Sequence, residues 1–125
     1  LDEIYPGYAI YFIMFCTYDR KELLANSVVH GPFREFFVSA GKRNVLVGRY
    51  VIMPDHVHLF VDVGELVEIS AWIKSLKNSV SKTLRQLGGR PPHWQKGYFD
   101  HLVRSEESYG EKWIYVRENP VRKGL

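Results

Sequence analysis

The sequence predicts an α+β fold of the ferredoxin-like, split βαβ kind: an antiparallel sheet with two helices on one face, extended by a C-terminal helix. Three observations point there. Four short runs rich in aromatic and β-branched residues are spread along the chain. Two of the segments between them carry apolar residues at the helical period. The second and third runs are separated only by "PD", a link so short that they must form an antiparallel hairpin.

Each element has its own signal. Residues 8–18, "YAIYFIMFCTY", alternate but are apolar on both faces, as a central strand is. Residues 27–41 read as a helix with Val28, Phe33, Phe36 and Phe37 as its buried side, and "AGKRN" supplies a glycine stop. Residues 44–53, "NVLVGRYVIM", are a second strand, which Pro54 ends because proline cannot donate to a ladder. His56–Val63 is the third. Residues 68–87 form the clearest helix, with Ile69, Trp72, Ile73, Leu76, Val80, Leu84 and Leu87 on one stripe. Lys74, Lys77, Asn78, Ser81, Lys82 and Arg85 fall on its opposite side, and "GGRPP" terminates it. Residues 98–103 are a short fourth strand. Ser105 suits the N-cap of a last helix, Glu106 and Glu107 suit its first turn, and Asn119-Pro120 ends it.

With 125 residues, one domain spanning 1–125 is expected, and it is large enough to bury a core without staples. A single cysteine, Cys16, excludes a disulfide framework and fits a reducing, cytoplasmic setting. The longest apolar run, residues 8–16, is far shorter than the roughly 20 residues of a membrane span. "LDEIYPG" lacks the basic region of a signal peptide. The formal charge is only +3, but residues 69–99 contain no acidic side chain while carrying Lys74, Lys77, Lys82, Arg85, Arg90 and Lys96. A band of one sign attracts a polyanion, although the same residues would also make an ordinary solvated helix face.

"MPDHVHLFV" holds the sharpest chemical signal. Residues i and i+2 of a strand share a face, so His56 and His58 point together while Val57, Leu59 and Val61 point to the helices. The histidine face is then either the open side of the sheet or covered by something else. Two imidazoles about 7 Å apart at Cα can share one divalent metal. They could equally hydrogen-bond neighbours and bind nothing, and a pair alone is an incomplete site. Asp55 reads as a turn residue rather than a ligand. In the last helix, Tyr109, Trp113 and Val116 make a core stripe, whereas Ser108, Lys112, Tyr115 and Asn119 make a separate polar one. A phenol one turn from an amide oxygen, with an ammonium beside it, can serve a site, and the amide suits hard cations such as Mg²⁺ or Mn²⁺.

Together "MPDHVHLFV", "HWQKGYFDHLVRSEESY" and "YVRENPVRKGL" resemble the single-tyrosine HUH transposases, and within them the REP-associated tyrosine transposases. The resemblance spans nearly the whole chain. It implies that His56, His58 and Asn119 hold a divalent Mg²⁺ or Mn²⁺ ion and that Tyr115 is the nucleophile, with Lys112 a candidate for activating it. Asparagine stands where the insertion-sequence branch has glutamine, which favours the REP-associated branch. The implied activity is nicking and rejoining of single-stranded DNA beside hairpins through a 5′-phosphotyrosine link; the alternative is a domesticated hairpin-binding module that does not cut. Lys74, Lys77, Lys82, Arg85, Arg90, Lys96, Arg117, Arg122 and Lys123 would meet phosphates. Trp94, Tyr98 and Phe99 would either stack on bases or pack in the core. His101 lies in a matching string without an assigned role. The short "VRSEES" link favours a monomer with its tyrosine in cis over a homodimer.

Overall fold

The computed structural model describes residues 10–103. Lys112, Tyr115, Arg117, Asn119, Arg122 and Lys123 lie outside the described residues, as does the expected final helix.

Within them the order is β1 (Ile10–Cys16), α1 (Ser27–Ser39), β2 (Val45–Ile52), β3 (His56–Val63), α2 (Ile69–Gln86) and β4 (Phe99–Val103). The sheet order is β2-β3-β1-β4 and every neighbouring pair is antiparallel, the split βαβ arrangement. β1 is central, as its two apolar faces require. Pro54 and Asp55 make the tight β2–β3 turn, closed by the Met53 N–H donating to the His56 carbonyl (2.8 Å).

The helices pack on one face of the sheet. Ile13, Phe15, Val57, Leu59 and Val61 meet Phe33, Phe37, Ile73, Leu76 and Val80 in the main core. α1 starts at Asn26, whose side-chain oxygen accepts from the Val28 N–H (2.8 Å). Its inward stripe is Val29, Phe33, Phe36 and Phe37, so Val29 takes the place expected of Val28, which is 57% exposed. Val28 lies about 140° around the helix from Phe33, too far to share its face. α2 buries the expected Trp72, Ile73, Leu76, Val80 and Leu84, but two assignments change. Leu87 falls beyond the last turn and is exposed, while Ser81, expected on the polar side, is buried.

A second, smaller cluster occupies the other face: Ile10, Phe12, Phe60 and Val103, with Val51 against it. The histidine face is therefore buried rather than open, and neither α1 nor α2 contributes to that cluster. Among the described residues no helix is long and apolar enough to cross a membrane.

Candidate functional site

Strand alternation and register place the histidines. His56 stands opposite Cys16 and His58 opposite Met14 on β1, and Val51 of β2 flanks His58 on its other side. Both are buried, at 2% and 5% exposure, on a face otherwise made of Phe12, Phe60 and their neighbours. The two rings are 4.7 Å apart at 77°, and Phe12 lies 5.6 Å from the His58 ring. Burial of two imidazoles among aromatic rings is costly unless their nitrogens have partners.

The residues around His56 orient it. Asp55 Oδ1 is 2.6 Å from His56 Nδ1, and Asp55 Oδ2 accepts from Arg20 Nε at 3.0 Å. Arg20 Nη2 stands 3.4 Å from the same histidine nitrogen. Burial would raise the Asp55 pKa, but the hydrogen bonds from Arg20 and His56, with their charges, outweigh it and hold the carboxyl below its ordinary value. An ionised carboxylate can only accept, so it fixes the proton on Nδ1 and leaves Nε2 as the acceptor nitrogen of the ring. The hydrogen bond to Asp55 in turn raises the Arg20 pKa. Asp55 is thus a turn residue with a second task, which no spacing rule revealed.

Arg20 reaches this position through unusual backbone. Asp19 and Arg20 both have positive φ, 57° and 53°, a region costly for side chains other than glycine. Thr17, fully buried, anchors the segment: its N–H donates to the Asp55 carbonyl at 2.9 Å and its hydroxyl to the Lys21 carbonyl at 2.6 Å. Arg20 is the side chain beside the imidazole pair that sequence reasoning missed. It stands far from the histidines in the chain, and only the fold reveals it.

The separation of the two rings is one that a shared metal would allow. Two imidazole nitrogens each about 2.1 Å from one ion set the ring centres about 4.5–5 Å apart, and the rings are 4.7 Å apart. A carboxylate on the distal nitrogen is the usual partner of a metal-binding histidine. Among the described residues no three histidine, cysteine, aspartate or glutamate side chains form a metal cluster, and Asn119 lies outside them.

Among the described residues, the basic side chains expected to meet phosphate do not gather at the histidines. Lys74, Lys82 and Arg85 are exposed on α2, across the sheet from the imidazoles, and Arg90 and Lys96 are exposed in the loop that follows. Lys77 is half-buried, donates to the Gln95 and Gly97 carbonyls (3.2 and 2.8 Å) and lies 5.6 Å over the Phe15 ring. Its ammonium serves the loop, and desolvation lowers its pKa. Trp94 is a packing residue: its ring meets Phe15 and Phe33, and its Nε1 donates to the Lys77 carbonyl and Ser81 hydroxyl. Tyr98 packs against the main core, while Phe99 is 52% exposed. His101 is exposed, opposite Phe12.

A family model described as IS200-like transposase matches residues 8–118. Two Haemophilus influenzae proteins are similar. One, described only as uncharacterized, is 24% identical over 99 residues, 62% of this chain and 55% of that protein. The other, provisionally named a REP-associated tyrosine transposase, is 26% identical over 84 residues, 58% of this chain and 48% of that protein. The chain spans about half the length of these curated relatives. Among solved structures, a REP-associated tyrosine transposase bound to a REP hairpin superimposes with a TM-score of 0.71 at 19% identity, covering 99% of this chain and 75% of that one. A crystal structure of a provisionally assigned transposase from Deinococcus radiodurans gives 0.66 at 19% identity, covering 94% and 95%. At such identity the likeness shows the fold.

Proposed function

The chain belongs to the family of IS200-like transposases, matched over residues 8–118, and from that premise we propose that it nicks and rejoins single-stranded DNA beside hairpins, with His56, His58 and Asn119 holding a Mg²⁺ or Mn²⁺ ion. The observation that carries this reading is the buried imidazole pair, rings 4.7 Å apart, with Asp55 on the distal nitrogen of His56. The hairpin bound by the structurally similar REP-associated transposase supports the substrate class.

A bound ion would withdraw electron density from the scissile phosphate and fix its orientation. The chain's own groups do the rest. The Tyr115 phenol titrates at about 10 when free, so it needs a proton acceptor, and the neutral amine of Lys112 is proposed for that role. The phenolate oxygen forms a bond to phosphorus, and the bond from phosphorus to the 3′ oxygen breaks. The products are a 5′-phosphotyrosine link and a strand ending in a 3′-hydroxyl. Attack by a 3′-hydroxyl on that link reverses the chemistry, restores the phenol and joins the strands. The number of phosphoester bonds is conserved, so no nucleotide cofactor is required.

The test is incubation with Mn²⁺ and end-labelled hairpin oligonucleotides carrying single-stranded flanks, resolved on a denaturing gel. A protein–DNA adduct formed by the wild type and lost in both Tyr115→Phe and His56→Ala is expected. Tight hairpin binding with no adduct on any flank would replace this reading with that of a binding module.

A further inference from the structure

Four residues of the loop before β4 stand opposite only two of β1. The β1–β4 ladder runs from Ile10↔Val103 to Met14↔Phe99, and the strand edge is next closed at Thr17↔Trp94. Between those points the loop leaves the strand after Gln95 and turns at Gly97 with φ +84°. Such an irregularity at a sheet edge re-aims side chains and opens space. Here it leaves a cleft of about 290 Å³, lined in part by Met14, Cys16, Lys96, Gly97, Tyr98 and Phe99.

The loop is held from the helix side. Lys77 binds two of its carbonyls, at Gln95 and Gly97, and the Gln95 N–H donates to the Cys16 carbonyl at 3.0 Å. His93 and Trp94 just before it both engage the buried Ser81 hydroxyl, each at 2.9 Å. Ser81 is therefore buried because it anchors this loop. The cleft is preformed, and binding in it carries little ordering cost.

Its location gives it meaning. Met14 and Cys16, on its floor, are the cross-strand partners of His58 and His56. The backbones of floor and histidine strand are thus one strand spacing apart, about 4.8 Å. The Phe99 ring is half-exposed at the rim, steadied edge-on by Phe12 at 6.4 Å. Lys96 is exposed beside it, and no acidic side chain lines the cleft among the described residues. Small-molecule pockets begin at about 300 Å³, so this one suits a single nucleotide and excludes a duplex. An aromatic face with a cation at its side is what an unpaired base and its phosphate require.

We propose that this cleft is a nucleobase subsite: it takes the one unstacked base next to the phosphate held at the histidines, with Phe99 as stacking platform and Lys96 on that nucleotide's phosphate. This rests on the single-stranded-DNA reading above and adds where the flanking strand lies. The base would leave the histidine face at the sheet edge, where the cleft opens.

The experiment is a binding cycle that needs no cleavage. Hairpin oligonucleotides with single-stranded flanks, each carrying one abasic nucleotide at a different flank position, are titrated against wild type, Phe99→Ala and Phe99→Trp by fluorescence anisotropy. In the wild type one abasic position is expected to weaken binding about tenfold. Phe99→Ala should lose the same factor on intact DNA and nothing more on that abasic strand, while Phe99→Trp restores the dependence. Lys96→Gln should flatten the salt dependence. Additive losses from Phe99→Ala and every abasic position would overturn the subsite. If adduct formation persists alongside such additivity, the nicking reading stands and the subsite alone falls. If the coupling is seen but no adduct ever forms, the subsite stands and the nicking reading falls. Absence of any DNA affinity at low salt overturns both.

Discussion

Asp55 does its work through another side chain. Its two oxygens are divided between His56 Nδ1 and Arg20 Nε, so the imidazole is held in one tautomer and one orientation. Groups that orient a metal-binding histidine in this way typically change metal affinity by about 10- to 100-fold. Asp55→Ala is therefore expected to weaken Mn²⁺ binding, measured by calorimetry, by a factor in that range, and Asp55→Asn by less, since its carbonyl still accepts. Unchanged Mn²⁺ affinity in a folded Asp55→Ala protein would refute the role. Asp62 offers a second residue-scale test. It is 7% exposed on the histidine face, and burial raises its pKa. The folded state then binds the proton more tightly than the unfolded chain, so between the unfolded pKa near 3.8 and the higher folded value stability falls as pH rises. Asp62→Asn has no charge to bury. Its melting temperature should exceed that of wild type at pH 7, with the gap closing towards pH 4. A gap that widens on acidification would contradict the burial argument.

Elements were legible wherever one period dominated. β3 begins and ends where alternation begins and ends, and the inward stripe of α2 from Trp72 to Leu84 follows the 3.6-residue repeat. Sequence and structure part where a local interaction sets the phase. Asn26 caps α1 and turns Val29 inward, which apolar content alone cannot distinguish from Val28. Val29→Ala should cost roughly 1–3 kcal/mol by chemical denaturation, whereas Val28→Ala should stay within about 0.5 kcal/mol. Equal effects would mean that the helix phase is wrong. Ser81 departs from the helical pattern for another reason. A serine on a helix reads as polar surface, and its burial follows only from a loop folding back to offer His93 Nδ1 and Trp94 Nε1. The same contacts explain why Trp94 cannot stack on DNA. Periodicity describes a helix against water; it carries no information about which loop returns to it.

At the scale of the molecule, the sheet divides two kinds of chemistry. His56 and His58 occupy one face, and the exposed Lys74, Lys82 and Arg85 lie on α2 across the other. The acid-free band was visible in the chain, but its separation from the imidazoles is a product of topology: β3 leads into α2, and the crossover to β4 puts that helix behind the strand it follows. A DNA molecule touching both must pass an edge of the sheet, and the loop carrying Arg90 and Lys96 lies at the β1–β4 edge. Under the proposed function, two independent contributions to DNA binding are expected. The first is the histidine site, short-ranged and dependent on the ion. The second is long-ranged attraction by the helix, which releases counterions and weakens as salt rises. Replacing Lys74, Lys82 and Arg85 by glutamine should lower the slope of log affinity against log salt by up to about one for each phosphate that is no longer neutralised. Because the sheet lies between, Mn²⁺ affinity should be unchanged, and hairpins and arbitrary single strands should be weakened alike. If instead the triple variant keeps the full salt slope, α2 is only a solvated face, and the phosphates must be met by basic residues elsewhere in the chain.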